Sequence, residues 1–114
     1  MKSGIYTNEE SQEVFKYLEE NYSGEGFNQH LEKRLTDFID LPEDEKVVIN
    51  KLSLEKAKAL SLLPIDVSGI FLLGNGNLRL LFENDNESLG IQILEDGFQI
   101  VHLEKNATPQ YRLK

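Results

Sequence analysis

The sequence contains no cysteine and no tryptophan, and it has only two histidines. Without cysteine the chain can form no disulfide, can use no thiol nucleophile and can build no thiolate zinc site. Proteins without disulfides are typical of reducing compartments, so we expect a cytoplasmic location. We expect no bound cofactor.

Long apolar runs are also missing. No stretch approaches the roughly 18 to 20 consecutive apolar residues that a membrane span requires. Residues 1–22 are polar and acidic, whereas a secretory signal is basic and then apolar. We therefore expect no contact with a membrane. The length of 114 residues is that of one domain, so we expect a single domain over residues 1–114.

Basic residues are scarce and unevenly placed. The net charge of −8 comes from 20 acidic and 12 basic residues, and residues 83–104 contain six acids and no base. Phosphate backbones are bound mainly through lysine and arginine, so direct binding to nucleic acid is not expected. The clustered acid indicates either a solubilising surface or a face that meets a basic protein.

The first half of the chain has helical periodicity. Apolar residues spaced three or four apart predict helices over 8–22 and 28–39. In "LSLEKAKALSLLP", Ser53 is expected to cap a third helix. Residues 46–50 include a β-branched run and are predicted to be extended, with a helix capped by Asp40 and Glu43 as the alternative.

From residue 66 onward the pattern is that of strands. Four runs of strand-forming residues are separated by "GNGN", "NDNE" and "EDG", and such short connections join antiparallel neighbours. The sequence therefore predicts an α+β fold. Two to three helices, in a helical half over 1–65, pack on one face of a four-stranded antiparallel meander at about 70–104, within a β half over 66–104. Residues 105–114 form a short tail.

Alternation along the strands assigns two faces to this sheet. Leu78, Leu80 and Phe82 share one face, which is predicted to be the core side. The opposite face is not cleanly polar, since it includes Leu81, and the last strand places apolar residues on both sides. A bulge near Ile100 would explain that change of period. A second face covered by a helix, a second copy or a partner would explain it equally well.

Three short motifs suggest ligand sites. The Gly-x-Gly pairs at 24–26 and 74–76 lack the third glycine and the strand–turn–helix context of a phosphate-binding loop, so we interpret both as turns. The run "ENDNES" offers Glu83, Asp85 and Glu87 as oxygen ligands but lacks the turn glycine of a calcium loop. It is predicted to be a solvated acidic hairpin tip, and no metal site is assigned.

Histidine is the commonest general base, which makes His102 the main candidate for catalysis. It lies in the last predicted strand, where Gln92 or Ser88 of the neighbouring strand could approach it. We interpret His102 as a partly buried structural residue and assign no catalytic residue. A small hydrolase that uses His102 is kept as an alternative.

Two sets of side chains form the candidate partner-binding site. The first predicted helix is apolar on one side and acidic on the other, as expected for a surface that attracts a basic protein. The second sheet face supplies apolar side chains. The site residues are Glu9, Glu10, Glu13, Glu20, Leu81, Leu94, Val101 and Leu103.

These features favour a non-enzymatic, acidic protein–protein interaction module that inhibits a basic partner, in the manner of an antitoxin, an immunity protein or a phage anti-defence protein. The expected partner is a protein, basic or itself nucleic-acid-binding. The alternative is an accessory domain that forms a homodimer through its second sheet face, with no inhibitory role and with the charge only solubilising it.

The segments "YSGEGF", "LSLEKAKALSLLP" and "GIFLLGNGNLRLLFE" together resemble a set of small uncharacterised bacterial and phage proteins. In that set a Gly-Glu-Gly segment precedes a helix, a proline and a hairpin with a Gly-Ile start and a Leu-x-Leu core. The resemblance covers residues 22–104. The chain departs from the set at Tyr22 and Phe82, where those proteins usually have tryptophan. Some members accompany toxin–antitoxin or phage accessory genes, which implies a similar setting here.

Overall fold

The computed structural model describes residues 1–105, in which three α-helices pack on one face of a five-stranded antiparallel sheet. Residues 106–114, and with them nearly all of the predicted tail, lie outside the described residues. In the described part no helix is long and apolar enough to cross a membrane. The elements are β1 (Gly4–Thr7), α1 (Ser11–Asn21), α2 (Phe27–Ile39), α3 (Lys51–Leu60), β2 (Gly69–Leu72), β3 (Leu78–Glu83), β4 (Glu87–Ile93) and β5 (Gly97–Glu104).

The sheet has the order β1-β5-β4-β3-β2, with every neighbouring pair antiparallel. Strands β2 to β5 form the predicted meander, so the α+β fold class is confirmed. The predicted number of strands is corrected from four to five, because β1 adds to the outer edge of β5 with Tyr6 opposite Phe98. A four-residue strand whose partner lies some ninety residues away carries no hairpin signal in the sequence.

Strands β4 and β5 pair without interruption, from Glu87 opposite Glu104 to Ile93 opposite Phe98. The predicted bulge near Ile100 is therefore wrong. Ile100 faces the helices, while Val101 on the next position faces away from them and is exposed. The change of period in the last strand reflects apolar side chains on both faces of a regular strand.

The core lies between the helices and the sheet. Helix α1 contributes Val14 and Leu18, which are both fully buried. The predicted core face of the sheet is confirmed, because its apolar side chains are closed to solvent. Burying each such side chain contributes about 1.5–3 kcal/mol to stability. The fully buried members of this face are Leu78, Leu80, Phe82, Leu89, Ile91 and Ile93.

Helix α3 begins three residues earlier than predicted. Asn50 is the residue before its first turn, so the expectation that Ser53 caps the helix is wrong. Ser53 instead lies inside the helix and is buried against the sheet. Its hydroxyl donates to the carbonyl of Ile93 (2.9 Å) and accepts from the N–H of Leu78 (2.9 Å). This serine therefore joins the helix to two strands.

Candidate functional site

The face of the sheet that points away from the helices is open; we call it the open sheet face. Val101 and Leu103 of β5 are 44% and 60% exposed, and Phe71 of β2 is 42% exposed. Leu81 of β3 is half-buried, as is Leu94, which lies just beyond β4. Apolar side chains therefore reach solvent across the sheet from β5 to β2, which is the kind of exposed patch that marks interaction sites.

Gly90 lies in the middle of the open sheet face and contributes no side chain to it. Gly90 pairs with Val101 on one side and with Leu81 on the other. The guanidinium of Arg79 lies over Gly90, close to where a side chain would begin. Among the described strand residues on this face, Arg79 and Glu83 carry the only charges. The open sheet face is therefore nearly neutral, and its apolar side chains lie beside the uncharged polar residues Ser88, Gln92 and Gln99.

The acidic residues predicted for the site lie on α1 and on the 3-10 turn Asn8–Glu10 before it. Glu9, Glu13 and Glu20 are exposed, and within residues 1–105 none of them forms an ion pair. Glu10 has a structural role, because its Oε1 accepts hydrogen bonds from the N–H (2.9 Å) and hydroxyl (3.1 Å) of Thr7. This capping box stabilises the start of the helix.

The structure does not bring the two predicted sets of residues together. Helix α1 packs Val14 and Leu18 against the core side of the sheet, so its acidic side faces away from the sheet. Val101 and the rest of the open sheet face lie on the far side of the same sheet. The acidic set and the apolar set are therefore two separate surfaces on opposite sides of a two-layer protein.

A buried polar cluster, which sequence reasoning missed, lies at one end of the core. Glu87 is only 8% exposed, so its prediction as part of a solvated hairpin tip is wrong. The hydroxyl of Tyr17 donates to both of its carboxylate oxygens (2.6 and 2.7 Å), and the hydroxyl of Tyr22 donates to Oε2 (2.6 Å). Nε2 of His102 lies 2.6 Å from Oε1. Through Tyr17 and Tyr22, the cluster joins α1 and its C-terminal end to strands β4 and β5.

The environment of the cluster shifts the pKa values of its members. Burial acts to raise the pKa of Glu87, but the hydrogen bonds from Tyr17, Tyr22 and His102 outweigh it, so the pKa of this carboxyl lies below its usual value. Burial, then the hydrogen bond to Glu87, raises the pKa of Tyr17 to about 12. The same causes raise the pKa of Tyr22 further. Glu87 is therefore a carboxylate and both tyrosines are neutral at pH 7.

The partners of His102 were predicted wrongly. Neither Gln92 nor Ser88 bonds to its ring; Glu87 does, and within residues 1–105 it is the ring's one hydrogen-bond partner. A hydrolase would need a nucleophile or a water-binding position beside that ring. The hydroxyl of Ser3 accepts from the backbone N–H of His102 (2.8 Å), and within residues 1–105 no hydroxyl is hydrogen-bonded to the ring. The sequence did contain a signal for the Glu87–His102 contact. Glu87 lies two residues before Leu89, so strand alternation places both on the core face of the sheet.

The Gly-x-Gly segment at 74–76 is a turn, as predicted, whereas the segment at 24–26 is an irregular connection between α1 and α2. The N–H of Gly26 donates to Oδ1 of Asp66 (3.1 Å), so a carboxylate from the chain itself occupies the position where a phosphate would lie. Gly76 has φ +88°, which the turn between β2 and β3 requires. Within residues 1–105 no group of three His, Asp or Glu side chains is placed to hold a metal ion.

Comparison with known proteins finds no matching family model, no matching curated protein and no matching solved structure. The fold itself defines the class: an α+β protein with helices on one face of an antiparallel sheet and an open second face. The resemblance to small bacterial and phage proteins stays a prediction. The function is therefore inferred from the geometry of these surfaces.

Proposed function

We propose that the chain is a non-enzymatic protein–protein interaction module that binds a basic partner protein on its open sheet face. The observation that supports this proposal is the exposure of Val101 and Leu103 on a regular strand whose other side is core. Apolar side chains on a rigid sheet lose little conformational freedom on docking, so they form an effective interface core.

The acidic surface has a different role in this proposal. Glu9, Glu13 and Glu20 lie on the side of the protein opposite the docking face, so they do not contact the partner there. A net charge of −8 still attracts a basic protein over distance and raises the rate of association. Occlusion of the partner's basic surface is how such a module would act as an inhibitor.

A homodimer is the second candidate, and the nearly neutral open sheet face favours it. Two copies of a chain with charge −8 repel each other over distance, but two neutral faces can still meet. A stable interface of this kind buries about 800 Å² on each copy. The two candidates use the same face and differ in what covers it.

Site-specific photo-cross-linking in the source cell tests the proposal. A photo-reactive amino acid replaces Val101 in one variant and Leu62 in the other, because Leu62 is 80% exposed just after α3, on the opposite side of the protein. We expect position 101 to capture a protein with a positive net charge, and position 62 to capture none. Cross-links from position 101 only to a second copy of this chain would favour the homodimer. Equal capture at both positions would contradict both candidates.

A further inference from the structure

A second apolar surface lies in the helical layer, away from the open sheet face. The C-terminal end of α2 and the segment Lys46–Ile49 line a groove of about 270 Å³. Ile39 and Val48 beside it are 68% and 90% exposed. The groove is smaller than the roughly 300–1,000 Å³ of typical small-molecule sites, so it fits amino-acid side chains better than a cofactor.

The segment that forms one wall of the groove is an extended chain without a strand partner. Lys46 at its start and Asn50 directly after it have extended dihedrals, with ψ 135° and 120°. Within residues 1–105 no backbone hydrogen bond involves Val47, Val48 or Ile49, and the N–H of Asn50 donates to Gly76. The carbonyl of Val48 lies against Gly76, on the same side as the Asn50 N–H, so the edge left open is the one formed by the backbone groups of Val47 and Ile49. Open donors and acceptors along an extended, β-branched segment are what an added strand pairs with.

The segments that line the groove carry more acidic than basic side chains. Asp37 and Asp40 lie at the C-terminal end of α2, where Asp37 pairs with Arg34 (3.1 Å) and Asp40 forms no ion pair within the described residues. Lys46, which lines the groove, pairs with Glu43 (3.4 Å), whereas Asp44 and Glu45 form no ion pair within the described part. The unpaired acids Asp40, Asp44 and Glu45 therefore leave negative charge beside the groove, which attracts basic side chains.

We infer that this groove binds an extended segment of a basic protein, which adds as a strand to Val47–Ile49 and inserts alternate apolar side chains beside Ile39. The free backbone supplies the pairing, the groove selects apolar side chains at every second position, and the acids select basic residues between them. The inference assigns a second surface and does not depend on what covers the open sheet face.

Three synthetic octapeptides of equal charge provide the probes: (Lys-Val)₄, (Lys-Gly)₄, and (Lys-Val)₄ with alternate amides N-methylated so that one edge cannot donate. Fluorescence anisotropy measures their binding to the full chain. We expect (Lys-Val)₄ to bind at least about tenfold more tightly than either of the others. Equal binding of all three would show that charge alone attracts them and would overturn the inference.

Variants of equal charge locate the site. Val48→Asp and Leu62→Asp each add one negative charge at a highly exposed residue, so neither is expected to affect folding. Val48→Asp should weaken (Lys-Val)₄ binding at least about tenfold, and Leu62→Asp should not weaken it. Asp40→Asn with Glu45→Gln should weaken binding more than Glu13→Gln with Glu20→Gln, which removes the same charge from α1. Binding unchanged by Val48→Asp would overturn the inference whether or not the open sheet face has a partner.

Discussion

His102 Nε2 lies 2.6 Å from Glu87 Oε1 and so connects β5 to β4 on the core side of the sheet. Because Tyr17 and Tyr22 donate to the same carboxylate, one buried charge is shared by two strands and the end of α1. A buried carboxylate with all of its acceptor positions filled stabilises a fold only while every partner is present. The cluster is therefore the polar attachment point of the first helix.

Replacing Tyr17 with phenylalanine should show this dependence. The variant keeps the ring but loses the hydroxyl that donates to Glu87, so we expect a loss of about 1.5–3 kcal/mol in unfolding free energy. Tyr6→Phe is the control, since the Tyr6 hydroxyl donates to the Lys2 carbonyl at the surface. Urea denaturation measures both, and equal losses would contradict a special role for the cluster.

Acid should weaken the same cluster. The pKa of Glu87 lies below the ordinary value of 4.5, so the folded state keeps this carboxylate charged where the unfolded state has taken up a proton. Its contribution to stability is full above about pH 4.5 and is lost as the pH falls through the lower, folded-state pKa. The stability difference between wild type and Glu87→Gln should therefore narrow as the pH falls from 5 to 2. A difference independent of pH would contradict the assignment.

Ser53→Ala tests whether this serine joins α3 to the sheet. The substitution leaves the carbonyl of Ile93 and the N–H of Leu78 without a buried partner, so we expect a loss of at least about 2 kcal/mol. A capping serine would cost about 1 kcal/mol. Hydrogen exchange should also rise at the Leu78 amide. Unchanged protection of that amide would contradict the contact.

Gly97→Ala tests the docking of β1. A methyl group at Gly97 would overlap the backbone carbonyl of Tyr6, which is part of β1 and cannot turn aside as a flexible side chain does. We expect a destabilisation of about 1–3 kcal/mol, with loss of amide protection in β1. Gly74→Ala is the control, because nothing lies within 4 Å of the added group. Similar effects at both glycines would argue against the fifth strand.

The sequence predicts the parts of this fold that depend on local signals. The tight-turn dipeptides and the alternation of Leu78, Leu80 and Phe82 led to the right meander and the right core face. The strand β1 and the bonds of Ser53 could not be predicted, since both depend on partners distant in the chain. Such contacts leave no periodic pattern.

The candidate site could be predicted only in part. The alternation of side chains along the last strand predicted that Val101 and Leu103 lie on the second sheet face. Their separation from the acids of α1 could not be predicted, because it depends on which face of the sheet the helices cover. The burial of Glu87 could have been predicted, because strand alternation places it on the same face as Leu89. The turn residues that precede it favoured a solvated hairpin tip instead. A local turn pattern does not report which side chains at its ends point inward.

The central claim is that the open sheet face binds a partner protein. Its most direct test measures the affinity of the partner captured by cross-linking at position 101. The captured protein is titrated against the wild-type chain, against Val101→Asp and against Leu62→Asp. The two variants each add one negative charge to the wild type. Val101 is 44% exposed on the face in question, and Leu62 is 80% exposed on the other side. We expect Val101→Asp to weaken binding at least about tenfold and Leu62→Asp to leave it unchanged. Equal affinity of all three would contradict the claim.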